Sequence, residues 1–282
     1  MWIIIVGLGV VAFGAIVVGV RYLRRQFGHR VVAERLALML QPSAASTPTA
    51  QPGLPAPVER YRQMAVGTRS PVQSLRMTHG GSFTLSPTSR ARPIEGKQLF
   101  TADPPGFVWT GRVHMAPGLW IDARDMIVDG HGSMRVLLDD AVTLADAHGP
   151  KLDSGAALRL LAEMAWYPIA FFDARSVTWT AIDDEHARAT LHVGGCNVSC
   201  IFTFGPDGLP RAMSGLREYA QGGLLPWSGT YRDWRDIDGM RVPFEVDVTW
   251  QLDSGPYTYA HWQIKSIAYD GDRPSRGVAV RA

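Results

Sequence analysis

Arg159 and Glu163 stand one helical turn apart in the stretch 157–168, "ALRLLAEMAWYP". Opposite charges at i and i+4 neutralise each other on a helix face. A carboxylate there works as acid or base only if burial raises its pKa. Leu158, Leu161, Ala162, Ala165 and Trp166 form one apolar face at helical spacing, and Leu160, Met164 and Tyr167 form a second. The spacing predicts a helix with Asp153 or Ser154 as N-cap that stops at Pro168. Such a helix has to be covered on two sides, which puts Glu163 partly inside and in hydrogen-bonding reach of a strand.

Asp125 interrupts an apolar-rich strand, and Arg217 and Tyr219 precede the glycine-rich stretch "QGGLLPWSG". A polar site is therefore expected around Trp109, Arg112, Asp125, Glu163, Trp166 and Arg217, with Trp250 among the apolar contacts. These are ligand-binding candidates; no residue is assigned a catalytic role. The eight histidines are scattered without an H-E-x-x-H pair, so no metal is expected, and no cofactor motif occurs. "GHGSM" (130–134) lacks the lysine and the helix of a phosphate loop and reads as a hairpin. "HGG" (79–81) has no accompanying nucleophile elbow. Cys196 and Cys200 fall on one face of one strand, roughly 13 Å apart at strand rise, too far to bridge. They read as buried thiols.

The elements that must position these residues are mostly strands. Residues 107–114, 119–128 and 133–138 alternate apolar and polar, the last two joined by "DGHG". Residues 187–193 turn at "GG" into a strand carrying Cys196, Val198, Cys200, Phe202 and Phe204, and "GPDG" turns again. In 240–252, Met240, Val242, Phe244, Val246, Val248, Trp250 and Leu252 share one face. Pro243 removes a ladder donor there, so this strand lies at an edge or its pairing breaks at the proline. A last strand contains Trp262 and Ile264.

The N-terminus has a different character. Residues 2–20, "WIIIVGLGVVAFGAIVVGV", contain no charge, and Arg21, Arg24 and Arg25 follow. Nineteen residues rise about 1.5 Å each in a helix, close to the hydrocarbon thickness of a bilayer. Neither the charge order nor a small-x-small site suits a cleaved signal peptide. The expectation is a single-pass anchor in the cell membrane, with the rest of the chain cytoplasmic by the positive-inside rule. Residues 27–40 have helical spacing and suit either the membrane surface or a continuation of the anchor into solvent. Residues 41–57, "QPSAASTPTAQPGLPAP", read as an extended linker. The expected units are an anchor and basic flank (1–26), a juxtamembrane helix and linker (27–57), a folded domain (58–270) and a loose tail (271–282). A formal charge of +2 gives no reason to expect nucleic acid, and two cysteines make no disulfide framework.

One helix of about 14 residues spans roughly 21 Å and cannot cover eight or more strands spaced about 4.8 Å apart. The sheet therefore has to curl with its apolar face inward. The fold class is mainly β: a large curled antiparallel sheet, an open or half barrel, with a covering helix near 154–167. "PVERY" (57–61), "PPGFVWTGRV" (104–113), "DARDMIVDGHGSM" (122–134), "LRLLAEMAWYP" (158–168) and "DGMRVPFEVDVTW" (238–250) together resemble an uncharacterised bacterial family of membrane-anchored proteins, a domain of unknown function. That resemblance spans nearly all of the chain after the linker and implies no reaction. The strand–helix–strand order also resembles the half-barrel of periplasmic lipoprotein-carrier domains, which hold acyl chains. Those carriers work outside the cytoplasm, against the charge bias seen here.

Three readings follow. The first is a membrane-anchored domain binding a lipid or other apolar small molecule, which requires an unfilled cavity of several hundred Å³. The second is a tethered scaffold or protein-interaction domain with a filled core and a protein partner that the sequence does not name. The third, least favoured, is a hydrolase-type enzyme using Glu163 or Asp125.

Overall fold

Period-two alternation decides the architecture. Among the described residues thirteen strands form one sheet in which every neighbouring pair is antiparallel. The computed structural model describes residues 2–40, 51–66, 72–219 and 223–270, with side chains for all of these except 2–14, 16, 17 and 40. The expected loose tail (271–282) and most of the expected linker (41–50) lie outside the described residues.

The first meander contains β1 (Ser74–Phe83), β2 (Arg92–Ala102), β3 (Pro105–Ala116), β4 (Leu119–Val128), β5 (His131–Leu138) and β6 (Val142–His148). The second contains β7 (Val177–Ala181), β8 (His186–Val193), β9 (Cys196–Phe204), β10 (Pro210–Tyr219), β11 (Gly223–Ile237), β12 (Met240–Leu252) and β13 (Gly255–Tyr269). They join in the middle, where β1 pairs with β13, and leave β6 and β7 as the outer edges. β12 is central rather than an edge strand. Pro243 faces Trp234 of β11, while the ladder to β13 starts only at Glu245, so the proline's missing donor falls where pairing stops.

The connection from β6 to β7 crosses the concave side as α3 (Pro150–Glu163), a 3₁₀ turn (Met164–Trp166) and α4 (Pro168–Phe171). The helix begins earlier than its sequence suggested. Pro150 occupies the first turn behind Gly149, whose φ is 111°, a backbone setting that favours glycine. Asp153 is not the cap but lies inside the helix, and its Oδ1 accepts from the Gly132 amide of β5 at 2.7 Å. Tyr167 leaves helical geometry (φ −139°, ψ 58°), and Pro168 opens a further short helix instead of only closing one. Both apolar faces of the segment are buried, Leu158 and Leu161 on one side, Leu160 and Met164 on the other.

One end of the interior is filled with aromatic rings. Tyr61 of α2 (Ala56–Ala65) lies 5.4 Å from the Phe172 ring, and Phe171 lies 4.9 Å from Trp179. Gln51 brackets Trp179 on edge strand β7, accepting from its amide at 2.7 Å and donating to its carbonyl at 2.9 Å. The two meanders also touch across the open side, turn against turn. A Cβ built on Gly130 of the β4–β5 turn would stand 2.2 Å from the Cα of Gly194 in the β8–β9 turn. Both glycines have positive φ, 75° and 52°.

Helix α1 (Trp2–Leu40) starts with the run expected to span a membrane. Most side chains of that run are outside the described residues, and among the described residues no helix is long and apolar enough to cross a membrane. The second half of α1 is laid on the convex face of the sheet, which neither sequence alternative anticipated. Val31 and Leu38 are buried, Leu38 against Leu99 of β2 and Val108 of β3. Arg35 donates to Thr110 Oγ1 at 3.1 Å, Glu34 pairs with Arg124 at 3.1 Å, and Arg24 pairs with Asp139 at 3.0 Å.

Candidate functional site

The half of the concave face beside the aromatic block is not filled. It holds a cavity of about 760 Å³ beneath α3 and the 3₁₀ turn. Trp109 and Val113 of β3, Trp227 and Tyr231 of β11, Trp250 of β12 and Trp262 of β13 face it. The alternation that buried these strands' apolar faces thus supplies its walls. Tyr219, Tyr257 and Tyr259 stand nearer the rim, with residues 84–87 of the β1–β2 connection. Trp227 Nε1 donates to Tyr259 Oη at 3.2 Å, and Tyr257 Oη donates to the Thr84 carbonyl. The phenols of Tyr257 and Tyr259 are therefore held in place by hydrogen bonds.

Polar groups enter the cavity through α3. Arg159 Nε donates to Glu163 Oε1 at 2.8 Å, and its Nη1 donates to Asp125 Oδ2 of β4 at 2.7 Å. Gln98 of β2 donates through Nε2 to Glu163 Oε2 at 2.7 Å. The Arg159 guanidinium also lies 4.9 Å from the Phe107 ring centre and 4.8 Å from that of Trp109. One cation thus serves two carboxylates in a dry setting. Burial pushes the Glu163 carboxyl above its ordinary pKa, and Arg159 beside it pulls the other way. Glu163 and Asp125 together hold the Arg159 guanidinium protonated against its desolvation.

Both oxygens of Glu163 are taken, one by Arg159 and one by Gln98. The network therefore fixes the covering helix to the sheet and forms a polar floor. Among the described residues no three His, Cys, Asp or Glu side chains are grouped to hold a metal.

Of the residues singled out from sequence, Trp109, Asp125, Glu163, Trp166, Arg217 and Trp250 all line this one cavity. Trp166 Nε1 donates to the Pro243 carbonyl at 2.8 Å, at a point where the ladder between β12 and β13 has not begun. Arg217 lies over Trp227 at 4.8 Å and Trp250 at 5.9 Å, and its Nε donates to the Gly155 carbonyl of α3 at 3.2 Å. Arg112 does not belong to the group. It is an odd number of residues from Trp109 in the same strand, so it points to the convex face. There it pairs with Asp122 and Asp140, each at 2.7 Å, and lies 4.4 Å from the Trp120 ring centre. Burial raises the Asp122 carboxyl to about 6 against the pull of Arg112.

Sequence reasoning missed Gln98, Trp227, Tyr231, Tyr259 and Trp262. Trp227 and Tyr231 sit at period-two positions in β11, which was a usable signal; Tyr259 and Trp262 of β13 are three residues apart and reach one face across a register shift against β12, so alternation does not show them together, and Gln98 carries no signal. His79 was also passed over. It is buried, and its Nε2 accepts from Trp109 Nε1 at 2.8 Å, so it props a cavity wall from behind. Burial lowers its pKa to about 4. Cys200 is buried, as expected, and its thiol is pushed up to about 12 by desolvation; Cys196 is half-buried, and both are free thiols.

Two solved structures are similar in fold. A LolA superfamily protein from Nitrosomonas europaea is 14% identical with a TM-score of 0.40, over 75% of this chain and 90% of its own. A β-barrel-like protein from Brucella abortus, of a domain of unknown function (DUF1849), is 8% identical with a TM-score of 0.30, over 72% of this chain and all of its own. Both likenesses are too loose to carry an activity. No curated protein matches. The model of a family of unknown function, DUF6544, matches residues 44–262, and the chain belongs to that family.

Proposed function

We propose that this protein binds a lipid or another hydrophobic small molecule within its curled sheet. The single observation that carries the reading is the cavity of about 760 Å³ walled by Trp109, Trp227, Trp250 and Trp262. Ligand sites of several hundred Å³ have this makeup, an apolar wall with a few fixed polar groups. The neighbouring end of the same concave face is packed with rings, so this sequence can fill such a space where it needs a solid core.

Attachment to the membrane is part of the proposal. Its support is the uncharged run 2–20 and the arginines at 21, 24 and 25, which by the positive-inside rule put the sheet on the cytoplasmic side. Arg24 bonds to Asp139, so the β5–β6 turn sits against the base of that run. Native mass spectrometry of the full chain, released gently from membranes, tests the binding reading. A mass excess removed by solvent extraction is expected. A bare polypeptide mass from folded protein overturns it in favour of a tethered interaction domain. Protease protection in sealed vesicles tests the orientation.

A further inference from the structure

Five acidic or basic side chains, Asp125, Arg159, Glu163, Arg217 and Glu218, line the cavity, and four of them have a partner of opposite charge. Arg159 bonds Asp125 and Glu163, and Glu218 lies 3.6 Å from Lys151. Arg217 is the exception. Its Nε bonds the Gly155 carbonyl, and its plane lies over Trp227 and Trp250, but among the described residues it pairs with no carboxylate.

We propose that Arg217 receives the anionic head of an amphiphile whose apolar chain occupies the cavity. This rests on the apolar-ligand reading and narrows it to a ligand class: one carboxylate or phosphate on a hydrocarbon chain. Among the described residues only Nε of this guanidinium carries a hydrogen bond, which leaves its two terminal nitrogens to donate, and a guanidinium takes a carboxylate or phosphate in two parallel hydrogen bonds. The tryptophans that hold the fork are themselves cavity wall, so head and chain contacts are continuous. The floor sorts charge in the same sense. Asp125 and Glu163 share one guanidinium, so that end of the cavity repels an anion and directs the head to Arg217.

The test uses the full chain held in amphipol at low ionic strength and follows tryptophan fluorescence. Dodecanoate, dodecyl phosphate and dodecanol are titrated into the native protein and into Arg217→Gln and Arg217→Lys. The two anions should bind about tenfold more tightly than the alcohol, about 1.4 kcal/mol. Arg217→Gln should erase that preference and leave dodecanol affinity unchanged, and Arg217→Lys should keep part of it. A preference for dodecanoate over dodecyl phosphate would point to a free acid, and the reverse to a phospholipid head. Equal binding of anions and alcohol by the native protein overturns the head-group assignment and leaves the apolar-ligand reading standing, as does an equal loss for all three in Arg217→Gln. Failure of all three to bind the folded native protein overturns both.

Discussion

Arg159 Nη1 of the covering helix lies 2.7 Å from Asp125 Oδ2 of β4, and with Glu163 this bond ties the helix to the sheet inside the protein. Removing the cation from such a cluster leaves two carboxylates buried without compensation. Arg159→Met should cost about 3–5 kcal/mol in chemical denaturation. The triple variant Arg159→Met, Asp125→Asn, Glu163→Gln should recover most of that loss, because no charge is then stranded. An equal loss in the single and triple variants would mean that Arg159 acts through packing on Phe107 and Trp109 instead.

His79 predicts a pH dependence. Its pKa is about 4 when folded, against 6.5 for the free side chain. Between those values the unfolded chain binds a proton that the folded chain refuses. Its contribution is fully present above pH 6.5 and is lost as pH falls toward 4, about 3 kcal/mol in all. Urea unfolding at a series of pH values should show stability rising with pH across this window. His79→Gln, which keeps an acceptor for Trp109 Nε1 and cannot titrate, should flatten the slope. An unchanged slope would assign the dependence to other groups.

The contact between the β4–β5 and β8–β9 turns leaves no space for a side chain. Gly194→Ala would set a Cβ 2.1 Å from Gly130 Cα on a backbone with φ of 52°. Loss of about 1–3 kcal/mol is expected from strain and overpacking. Hydrogen exchange should quicken in both turns together, since the two arms would separate there. Exchange that quickens in the β8–β9 turn alone would count against the contact.

Among the described residues Glu34 and Arg124 form the most enclosed ion pair between α1 and the sheet, with side chains 16% and 5% exposed. Burial raises the Glu34 carboxyl while Arg124 pulls it down. Glu34→Ala should loosen the second half of α1, read as faster amide exchange over residues 31–40 without change in the sheet. Protection equal to the native protein would show that Leu38 alone holds the helix down.

The curl of the sheet and the burial of both faces of α3 were legible in the sequence, because long alternating runs such as that of β12 and an apolar helix without a wet side admit few arrangements. Six of the seven expected ligand contacts converge on one cavity for the same reason. Arg112 lies on the other face of the sheet, as the alternation of its own strand separates it from Trp109. β6 escaped notice because every residue in it is exposed, so it has no apolar face to read. The earlier start of α3 was hidden because Asp153 suits a cap, while its actual bond is to a strand distant in sequence. The placement of α1 depends on pairs such as Glu34 with Arg124, which no local pattern encodes.

The position of β1 beside β13 constrains how the chain is made. Ser74, at the start of β1, donates its amide to Asp270, 196 residues later. Each meander is a series of neighbouring hairpins that can form soon after its residues leave the ribosome. The middle of the sheet cannot close until the last strand has been synthesised, and contacts of such long sequence separation form slowly. Until then β1 is an open edge, bearing unpaired amides and carbonyls. A chain stopped before residue 255 should therefore expose that edge and aggregate or be degraded, even with its first hairpin series complete.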